Sequence, residues 1–313
     1  MINSNFKSVR ELIKAFPDEQ TCINHLEQLR WNGNVVSPFD ETSKVYKCAG
    51  NKYKCKNTGK YFNVRTATLF DNTKVELQTW FLAIYLITGH KKGISSLQLA
   101  KDLNVTQKTA WFMLHRIRAC YGLNEENNSG GGQLGGEGVV VEVDETIIGG
   151  KVKNMTKKKR AAIKERQTMP NANKTTVMGY VERGGKLRME VLPANLTAKE
   201  ALVNNVDTAS ILCTDAASIY AIVGKDYTVH GVVDHQANEY KNELFHTNTI
   251  EGAFSLFDRM VIGIYHYVSP KHIQAYLNEH AFRYNTRKIN ECMRFNLMLS
   301  NSAKRLTYKS LIK

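Results

Sequence analysis

The stretch "VVVEVDETIIGGK", Val139 to Lys151, decides the fold of the second half of the chain. Its run of valines, followed by one threonine and two isoleucines, is typical of a strand that lies inside a sheet. Asp144 stands towards the end of this strand, although a carboxylate is costly to bury without a partner. Two or three carboxylates brought together would form a metal site, so the interpretation of Asp144 depends on whether the sequence holds partners for it.

Two further acids have a suitable setting. Asp215 ends the apolar run "ASILCTD", which predicts a second strand, and Glu251 lies in "HTNTIEGAFSLFDRM", which has helical spacing. Clustered carboxylates repel one another unless hard cations neutralise them, and Mg²⁺ prefers such oxygen ligands. Two ions about 3.5–4 Å apart, with Mn²⁺ as a substitute, would suit phosphodiester chemistry. Because the chain has 29 Asp and Glu, spacing alone leaves surface carboxylates, or a helix cap at Asp215, open as alternatives.

The composition favours an anionic partner. The 313 residues hold 43 Lys and Arg against 29 Asp and Glu, a formal net charge of +14. This excess suggests nucleic acid as the partner, and a basic soluble protein without such a partner is the alternative. The sequence shows neither a signal-peptide pattern nor an apolar run of about 18 residues, which predicts a cytoplasmic, nucleoid-associated protein without membrane contact. The six cysteines are too scattered to indicate a disulfide framework.

The segment "GISSLQLAKDLNVTQKTAWFMLHRIRAC", Gly93 to Cys120, predicts two short helices around a turn. Leu97 would lie on the buried face of the first helix, and Thr106 is the expected N-cap of the second. This plan is that of a helix-turn-helix, whose second helix enters the major groove, and an ordinary helical hairpin is the alternative. The residues expected to face DNA are Thr106, Gln107, Lys108, Trp111 and Arg116.

A second group of basic residues follows the Asp144 strand. The segment "KNMTKKKRAAIKERQ", Lys153 to Gln167, favours a loop that contacts phosphates over a merely solvated face. The residues predicted to bind DNA here are Lys157, Lys158, Lys159 and Arg160.

Four residues of the N-terminal part are potential zinc ligands, namely Cys22, His25, Cys48 and Cys55. A zinc ribbon normally shows two pairs of ligands with about two residues between the members of a pair. Only Cys22 and His25 have that spacing, and Thr58 stands where a second cysteine would complete a Cys-x-x-Cys pair with Cys55. Free cysteines therefore explain the pattern at least as well as bound Zn²⁺ does.

Five motifs in a fixed order carry a resemblance that is more specific than the three acids alone. The motifs are "KKGISSLQLAKDLNVTQKTAWFMLHRIR", "VEVDETIIGGK", "TDAASIY", "HTNTIEG" and "GIYHYVSPKHIQAYLNEHAFRYNTR". With them, the sequence resembles bacterial insertion-sequence transposases of the DDE type, in the group that has an N-terminal zinc ribbon and helix-turn-helix and is related to the eukaryotic Merlin elements. The resemblance runs from about Lys44 to Arg287.

The resemblance implies an RNase H-like catalytic domain within a mixed α/β fold, which cuts DNA at terminal inverted repeats with Mg²⁺. The freed 3′-hydroxyl then attacks target DNA, and a homo-oligomer joins two element ends. Asp144 and Asp215 match the first two catalytic acids and metal ligands of this family, and Glu251 matches the third. Asn248 is a close alternative for the third position. His246 either orients the substrate or caps the helix.

The sequence departs from the family at three places. Asp258 stands where the group usually carries Lys or Arg, and the neighbouring Arg259 is the residue predicted to contact DNA instead. "AFS" replaces the usual "FWS", and Thr58 leaves the ribbon incomplete. These changes keep open a transposase-derived DNA-binding protein without catalytic activity, and an unrelated metal-dependent nuclease is a third interpretation.

The predicted organisation has five parts. The Gly- and Asn-rich run "GLNEENNSGGGQLGGEG" separates helical and hairpin patterns before it from strands and then helices after it, and predicts a flexible linker. The parts are a degenerate zinc-ribbon-like region at 1–72, a helix-turn-helix domain at 73–121, the linker at 122–138, an RNase H-like catalytic domain at 139–290 and a helical tail at 291–313.

Overall fold

The structure, a computed structural model, describes residues 6–121, 132–149, 155–158, 160–161, 174–193, 196–215, 224–233 and 245–312. The chain divides into two compact units: unit 1 comprises Met1–Leu123 with Thr286–Lys313, and unit 2 comprises Asn124–Asn285. The last part of the chain thus belongs to the same unit as the N-terminal part. The finer boundaries given by the sequence stay predictions.

The helices and strands follow the sequence patterns closely. The strands are β1 (Val45–Cys48), β2 (Lys52–Cys55), β3 (Tyr61–Phe62), β4 (Val140–Ile148), β5 (Thr175–Glu182), β6 (Leu187–Val191), β7 (Ile211–Asp215) and β8 (Val229–Val233). The helices are α1 (Val9–Ala15), α2 (Glu19–Trp31), α3 (Leu77–Gly89), α4 (Ser96–Asp102), α5 (Gln107–Cys120), α6 (Ala198–Asn205), α7 (Asn248–Met260), α8 (Ile273–Asn285), α9 (Glu291–Ser300) and α10 (Tyr308–Ile312).

Unit 1 has an aromatic core to which both ends of the chain contribute. The ring of Phe295, on α9, lies 5.3 Å from that of Phe6 and 5.3 Å from that of Phe81 on α3, measured between centroids. Phe16 is 4.9 Å from Phe81 in the same way. Because such rings bury large apolar areas, α9 completes the core of this unit. The small antiparallel sheet β1-β2-β3, predicted as hairpins, also belongs to unit 1.

Unit 2 is built on a five-stranded mixed sheet with the order β6-β5-β4-β7-β8. The pairs β6–β5 and β5–β4 are antiparallel, whereas β4–β7 and β7–β8 are parallel. Strand β4, which carries Asp144, is therefore central and has a neighbour on each edge. The predicted mixed α/β fold is confirmed, and this arrangement agrees with the RNase H-like architecture.

Helices cover both faces of the large sheet, because inward-facing side chains alternate between the two faces along strands such as β4. Val141 and Val143 point to one face and pack in a cluster that includes Ala201 and Leu202 of α6. The predicted capping box of α6 is present, with Thr197 as N-cap. Side chains alternate along a strand, so Glu142 and Asp144 point to the opposite face. That face carries the second cluster, to which α7 contributes its apolar stripe.

The predicted linker at 122–138 is wrong in its second half, whereas residues 122–131 lie outside the described residues. Leu134 is 5% exposed and forms a parallel bridge with Val206. The N–H of Gly136 donates to the hydroxyl of Ser210 at 2.9 Å. One buried leucine among the glycines thus fixes residues 132–138 within unit 2. In the described part of the chain, no helix has the length and apolar character needed to cross a membrane.

Candidate active site

Asp144 and Asp215 leave the same face of neighbouring parallel strands. The register pairs Glu142 of β4 with Cys213 of β7, and each aspartate lies two residues beyond its member of this pair. Because side chains alternate with a period of two, both carboxylates point to the face on which α7 packs. Neighbouring strands lie about 4.8 Å apart, so the backbone alone sets the two aspartates side by side.

A glycine opposite Asp144 lets α7 approach the sheet closely. Gly179 of β5 is the register partner of Asp144. A Cβ atom added to Gly179 would lie 2.6 Å from Cζ of Phe254 and 2.7 Å from Cδ1 of Ile250, both on α7. Only a residue without a side chain permits this packing. The close approach sets Glu251, the residue after Ile250, beside the strand that carries Asp144.

The three carboxylates interact electrostatically. Burial raises the pKa of Asp144 to about 6, and the negative charges of Asp215 and Glu251 act in the same direction. The N–H of Glu145 donates to Oδ1 of Asp144 at 2.7 Å and opposes this rise, while the charge of Glu145 adds to it. Asp215 and Glu251 therefore lie near enough to Asp144 to oppose its ionisation, which is the condition that a bound cation relieves.

A threonine orients the carboxylate of Glu251. The hydroxyl of Thr247, a residue 1% exposed, donates to Oε1 of Glu251 at 2.9 Å. The N–H of Glu251 donates to the carbonyl of Thr247 at 3.1 Å. Asn248, the alternative third residue, is exposed in the first turn of α7 and lies three residues before Glu251. The charge of Glu251 acts on Asp144, so Glu251 lies near the two aspartates.

Sequence reasoning missed Glu142, a buried carboxylate that contacts the start of α7. It is fully buried, and its Oε2 accepts the N–H groups of Thr249 at 2.8 Å and Ile250 at 3.1 Å. Its Oε1 accepts the hydroxyl of Thr249 at 2.8 Å and Nε of Arg183 at 2.9 Å. Nδ1 of His246 lies 3.2 Å from the same oxygen. The available signal was a glutamate at an inward position of a valine-rich strand.

The donor set suits a hard cation. Asp144, Asp215 and Glu251 offer only carboxylate oxygens, which Mg²⁺ and Mn²⁺ prefer over the nitrogen and sulfur donors of softer sites. Within the described residues, no three His, Cys, Asp or Glu side chains already converge closely enough to hold a metal ion. The donor type of these residues thus fits Mg²⁺, and a cation would offset the charges of Asp215 and Glu251 that oppose the ionisation of Asp144. The side chains would have to move closer around an ion to complete the ligand set.

Comparison with known proteins assigns this unit. Residues 133–285 match the model of the ISXO2-like transposase domain. Residues 133–285 are therefore similar to a transposase domain, and this name is used for them. It is also similar to a Halobacterium salinarum protein described as an uncharacterized protein in transposable element ISH50. The two are 26% identical over 265 residues, which cover 79% of this chain and 84% of the relative. The resemblance to insertion-sequence DDE transposases is therefore confirmed.

Outside the transposase domain, α4 and α5 have the predicted order around a short turn. The hydroxyl of Thr106 caps α5 by accepting the N–H of Thr109 at 3.2 Å. Gln107 and Lys108 are exposed in the first turn, and Trp111 is half-buried. The predicted apolar face is buried, at Ala110, Met113, Leu114 and Ile117. Leu97, in contrast, is 65% exposed, because Leu99 and Ala100 fill the buried face of α4.

Arg116 corrects the predicted set of DNA-binding residues. Its side chain is buried, and Nη1 donates to the carbonyls of Leu69 at 2.9 Å and Asp71 at 3.0 Å. The guanidinium also lies over the ring of Phe112, 4.6 Å from its centroid. A guanidinium engaged in this way holds the interior of unit 1 together and is not available to phosphates.

The other predicted DNA contacts are exposed where they are described. Lys157, Lys158 and Arg160 point to solvent, while Lys159 lies outside the described residues. Arg259, near the end of α7 in the transposase domain, is also exposed, and its guanidinium donates to the carbonyl and hydroxyl oxygens of Ser255 at 3.1 Å.

The potential zinc ligands are engaged within unit 1. Cys22 and His25 are buried on α2, and Nε2 of His25 lies 3.0 Å from Oδ1 of Asn296. The thiol of Cys48 donates to a backbone carbonyl. Burial opposes ionisation of Cys55, but hydrogen bonds from Ser37, Ser43 and Thr58 outweigh it and lower the pKa of this thiol to about 6. Hydroxyls thus surround the thiol of Cys55, and bound Zn²⁺ and free cysteines stay the two alternatives for these residues.

Proposed function

We propose that this protein is a DDE transposase that binds the terminal inverted repeats of an insertion sequence, cleaves DNA there and joins the freed 3′ ends to target DNA. One observation carries the proposal: within a transposase domain, Asp144 and Asp215 share a face of adjacent strands, and Glu251 acts on Asp144 from the helix that packs there. Carboxylates arranged in this way serve phosphodiester chemistry when a divalent cation joins them.

The three acids would reach the metal ions from two elements, the sheet and α7. Asp144 and Asp215 are fixed by strand backbones and would hold Mg²⁺ from the sheet, whereas Glu251 would complete the ligand set from α7. When bound, two Mg²⁺ ions supply activation of the attacking oxygen and stabilisation of the leaving oxygen, and Mn²⁺ can replace them. The protein's contribution is rigidity: the strand register orients the aspartates, and Thr247 orients Glu251.

Charge and the helix pair α4–α5 support binding to double-stranded DNA. The formal net charge is +14, and Gln107 and Lys108 are exposed at the N-terminus of a fourteen-residue helix. A helix N-terminus attracts phosphate, and a second helix after a short turn is the usual reader of the major groove. The exposed Lys157, Lys158 and Arg160 would contact phosphates near the cleavage site.

Joining two element ends requires two catalytic units, so a homo-oligomer on DNA belongs to the proposal, as does a place of action at the nucleoid. The relative in transposable element ISH50 supports the assignment to an insertion sequence.

A DNA-binding protein without catalytic activity is less well supported, because the three acids are all present and two of them lie on rigid strands. Asp258, the unusual acid on α7, is exposed.

The test is cleavage of labelled DNA that carries the sequences flanking the gene, with Mg²⁺ or Mn²⁺. Wild type is compared with Asp144→Asn, Asp215→Asn, Glu251→Gln and Asn248→Ala, and Glu190→Gln serves as a matched control on the same sheet. Specific nicking at the 3′ ends, lost in the first three variants and kept in the control, is expected. Loss in Asn248→Ala with retention in Glu251→Gln would reassign the third residue. Tight end-binding by wild type without any nicking would refute the proposed activity.

A further inference from the structure

We infer that Glu142 is a positioning residue that sets the distance between Asp144 and Glu251. The inference rests on the proposed function, because it concerns the metal site of that reaction. Glu142 lies two residues before Asp144 on β4 and points to the same face. It is fully buried, so it acts through the residues that it contacts and not on DNA or solvent.

The carboxylate of Glu142 caps the helix that carries Glu251. The first N–H groups of a helix lack partners within the helix and are usually satisfied by the N-cap side chain. The N-cap residue of α7, Thr247, makes no such bond, because its hydroxyl donates to Glu251. The N–H groups of Thr249 and Ile250 instead donate to Oε2 of Glu142 at 2.8 Å and 3.1 Å. A strand residue thus supplies the cap for the helix.

Two cationic or polar groups complete the surroundings of this carboxylate. Nε of Arg183 donates to Oε1 at 2.9 Å, and the Arg183 Nη2 group lies 3.3 Å from both Nδ1 and the carbonyl oxygen of His246. A buried carboxylate is tolerated when it is paired and fully hydrogen-bonded in this way. Of the two interpretations of His246, the contact with Glu142 and Arg183 favours a role at the start of α7.

Glu142 connects the strand of Asp144 to the turn of α7 that carries Glu251. It lies on the same strand as Asp144, and it accepts hydrogen bonds from the N–H groups of Thr249 and Ile250, the two residues directly before Glu251. Loss of the cap frees the first turn of α7, while contacts at Gly179 still hold the helix body. The expected result is a displaced Glu251 on a folded unit 2. Groups that orient metal ligands typically change metal affinity by about 10- to 100-fold when they are removed.

The test measures Mn²⁺ binding to the full chain by calorimetry, without DNA. Glu142→Gln should lower Mn²⁺ affinity by about 10- to 100-fold, because its amide nitrogen would face Arg183 in place of a carboxylate oxygen. Thr249→Val removes one hydrogen bond without any change in charge and should cause a smaller loss. The matched control is Glu190→Gln, which removes the same charge from a carboxylate that accepts from Tyr180 and Asn205 on the same sheet. Its affinity should stay at the wild-type value.

Hydrogen exchange provides a second measurement that does not depend on activity. Amides in a peptide covering residues 245–260 should lose protection in Glu142→Gln, while peptides from β5 and β6 keep theirs. If Glu142→Gln fails to fold, Thr249→Val decides, and unchanged Mn²⁺ affinity in that variant would overturn the inference.

The outcomes separate the inference from the proposed function. Wild-type Mn²⁺ affinity in Glu142→Gln, together with lost binding in Asp144→Asn, would overturn the role of Glu142 and leave the proposed function intact. Mn²⁺ binding that Asp144→Asn does not weaken would remove the basis of the proposed metal site, and the positioning role would fall with it.

Discussion

Replacing Asp144 with asparagine should stabilise unit 2 while it abolishes cleavage. The pKa of Asp144 is about 6 against an ordinary value of 3.8, because burial and the charges of Asp215 and Glu251 oppose its ionisation. The folded state therefore holds a proton on this cluster more tightly than the unfolded chain does. Stability from this group is fully present below pH 3.8 and is lost as the pH rises through about 6.

The size of the effect follows from the pKa. A difference between 3.8 and about 6 corresponds to roughly 3 kcal/mol of unfolding free energy near pH 7.5, and to roughly 1 kcal/mol near pH 4.5. Asparagine carries no charge, and its Oδ1 can still accept the N–H of Glu145. The variant should therefore exceed wild type by about 3 kcal/mol at pH 7.5 and by about 1 kcal/mol at pH 4.5.

Urea unfolding at the two pH values tests this expectation unit by unit. Hydrogen exchange of peptides from β5 and β6, at 175–193, reports on unit 2. The three tryptophans, Trp31, Trp80 and Trp111, lie in unit 1, so their fluorescence is an internal control that Asp144→Asn should leave unchanged. Equal stability of unit 2 in both proteins at pH 7.5, or a difference that does not depend on pH, would refute the view that burial and the neighbouring charges oppose the ionisation of Asp144.

Three further outcomes are expected. Gly179→Ala should destabilise unit 2 by about 1–3 kcal/mol, because its Cβ would lie 2.6 Å from the ring of Phe254, and should reduce cleavage in a nicking assay. Thr247→Val should lower the cleavage rate by about 10-fold, since Glu251 loses the hydroxyl bond at 2.9 Å that orients it. Lys108→Ala should weaken DNA binding and reduce the slope of log affinity against log salt by about 1, measured by fluorescence anisotropy.

Each of these has a matched control. Gly252→Ala adds a Cβ on α7 with no atom within 4 Å and should not destabilise unit 2; equal losses in both glycine variants would contradict the packing argument. Thr247→Ser keeps the hydroxyl and should restore the rate, so a serine variant as slow as valine would rule out the hydrogen bond as the cause. Lys14→Ala serves as the control for Lys108→Ala, because it removes an exposed lysine on α1. If the slope of log affinity against log salt changed as much in Lys14→Ala as in Lys108→Ala, specific placement of α5 on DNA would be contradicted.

The sequence predicted the parts of the fold and site that depend on local pattern. Alternation and apolar runs located the strands that carry Asp144 and Asp215, and helical spacing located Glu251, because these periods come directly from backbone geometry. The cap at Thr106 and the capping box at Thr197 were likewise predictable, since both depend on residues three apart.

The misjudged positions Arg116, Glu142 and Leu134 involve contacts between distant residues. Arg116 looked like a surface arginine of a basic helix, but its partners are carbonyls 45 and 47 residues earlier in the chain. Glu142 looked like one more residue of a strand, because its partners on α7 are 107 and 108 residues later. Leu134 lies in a glycine-rich run that reads as a linker until its bridge to Val206 is seen. No local periodicity encodes such pairs.

The return of the chain to unit 1 after residue 285 affects how copies of this gene can decay. A frameshift or stop codon that spares the whole transposase domain still removes α9, and with it Phe295 from the aromatic core of unit 1. Unit 1, which carries the proposed DNA-binding helices, would then lose part of its core. Under the proposed function, truncated copies of this type would bind element ends poorly, whereas full-length proteins with altered acids would still bind them and inhibit transposition.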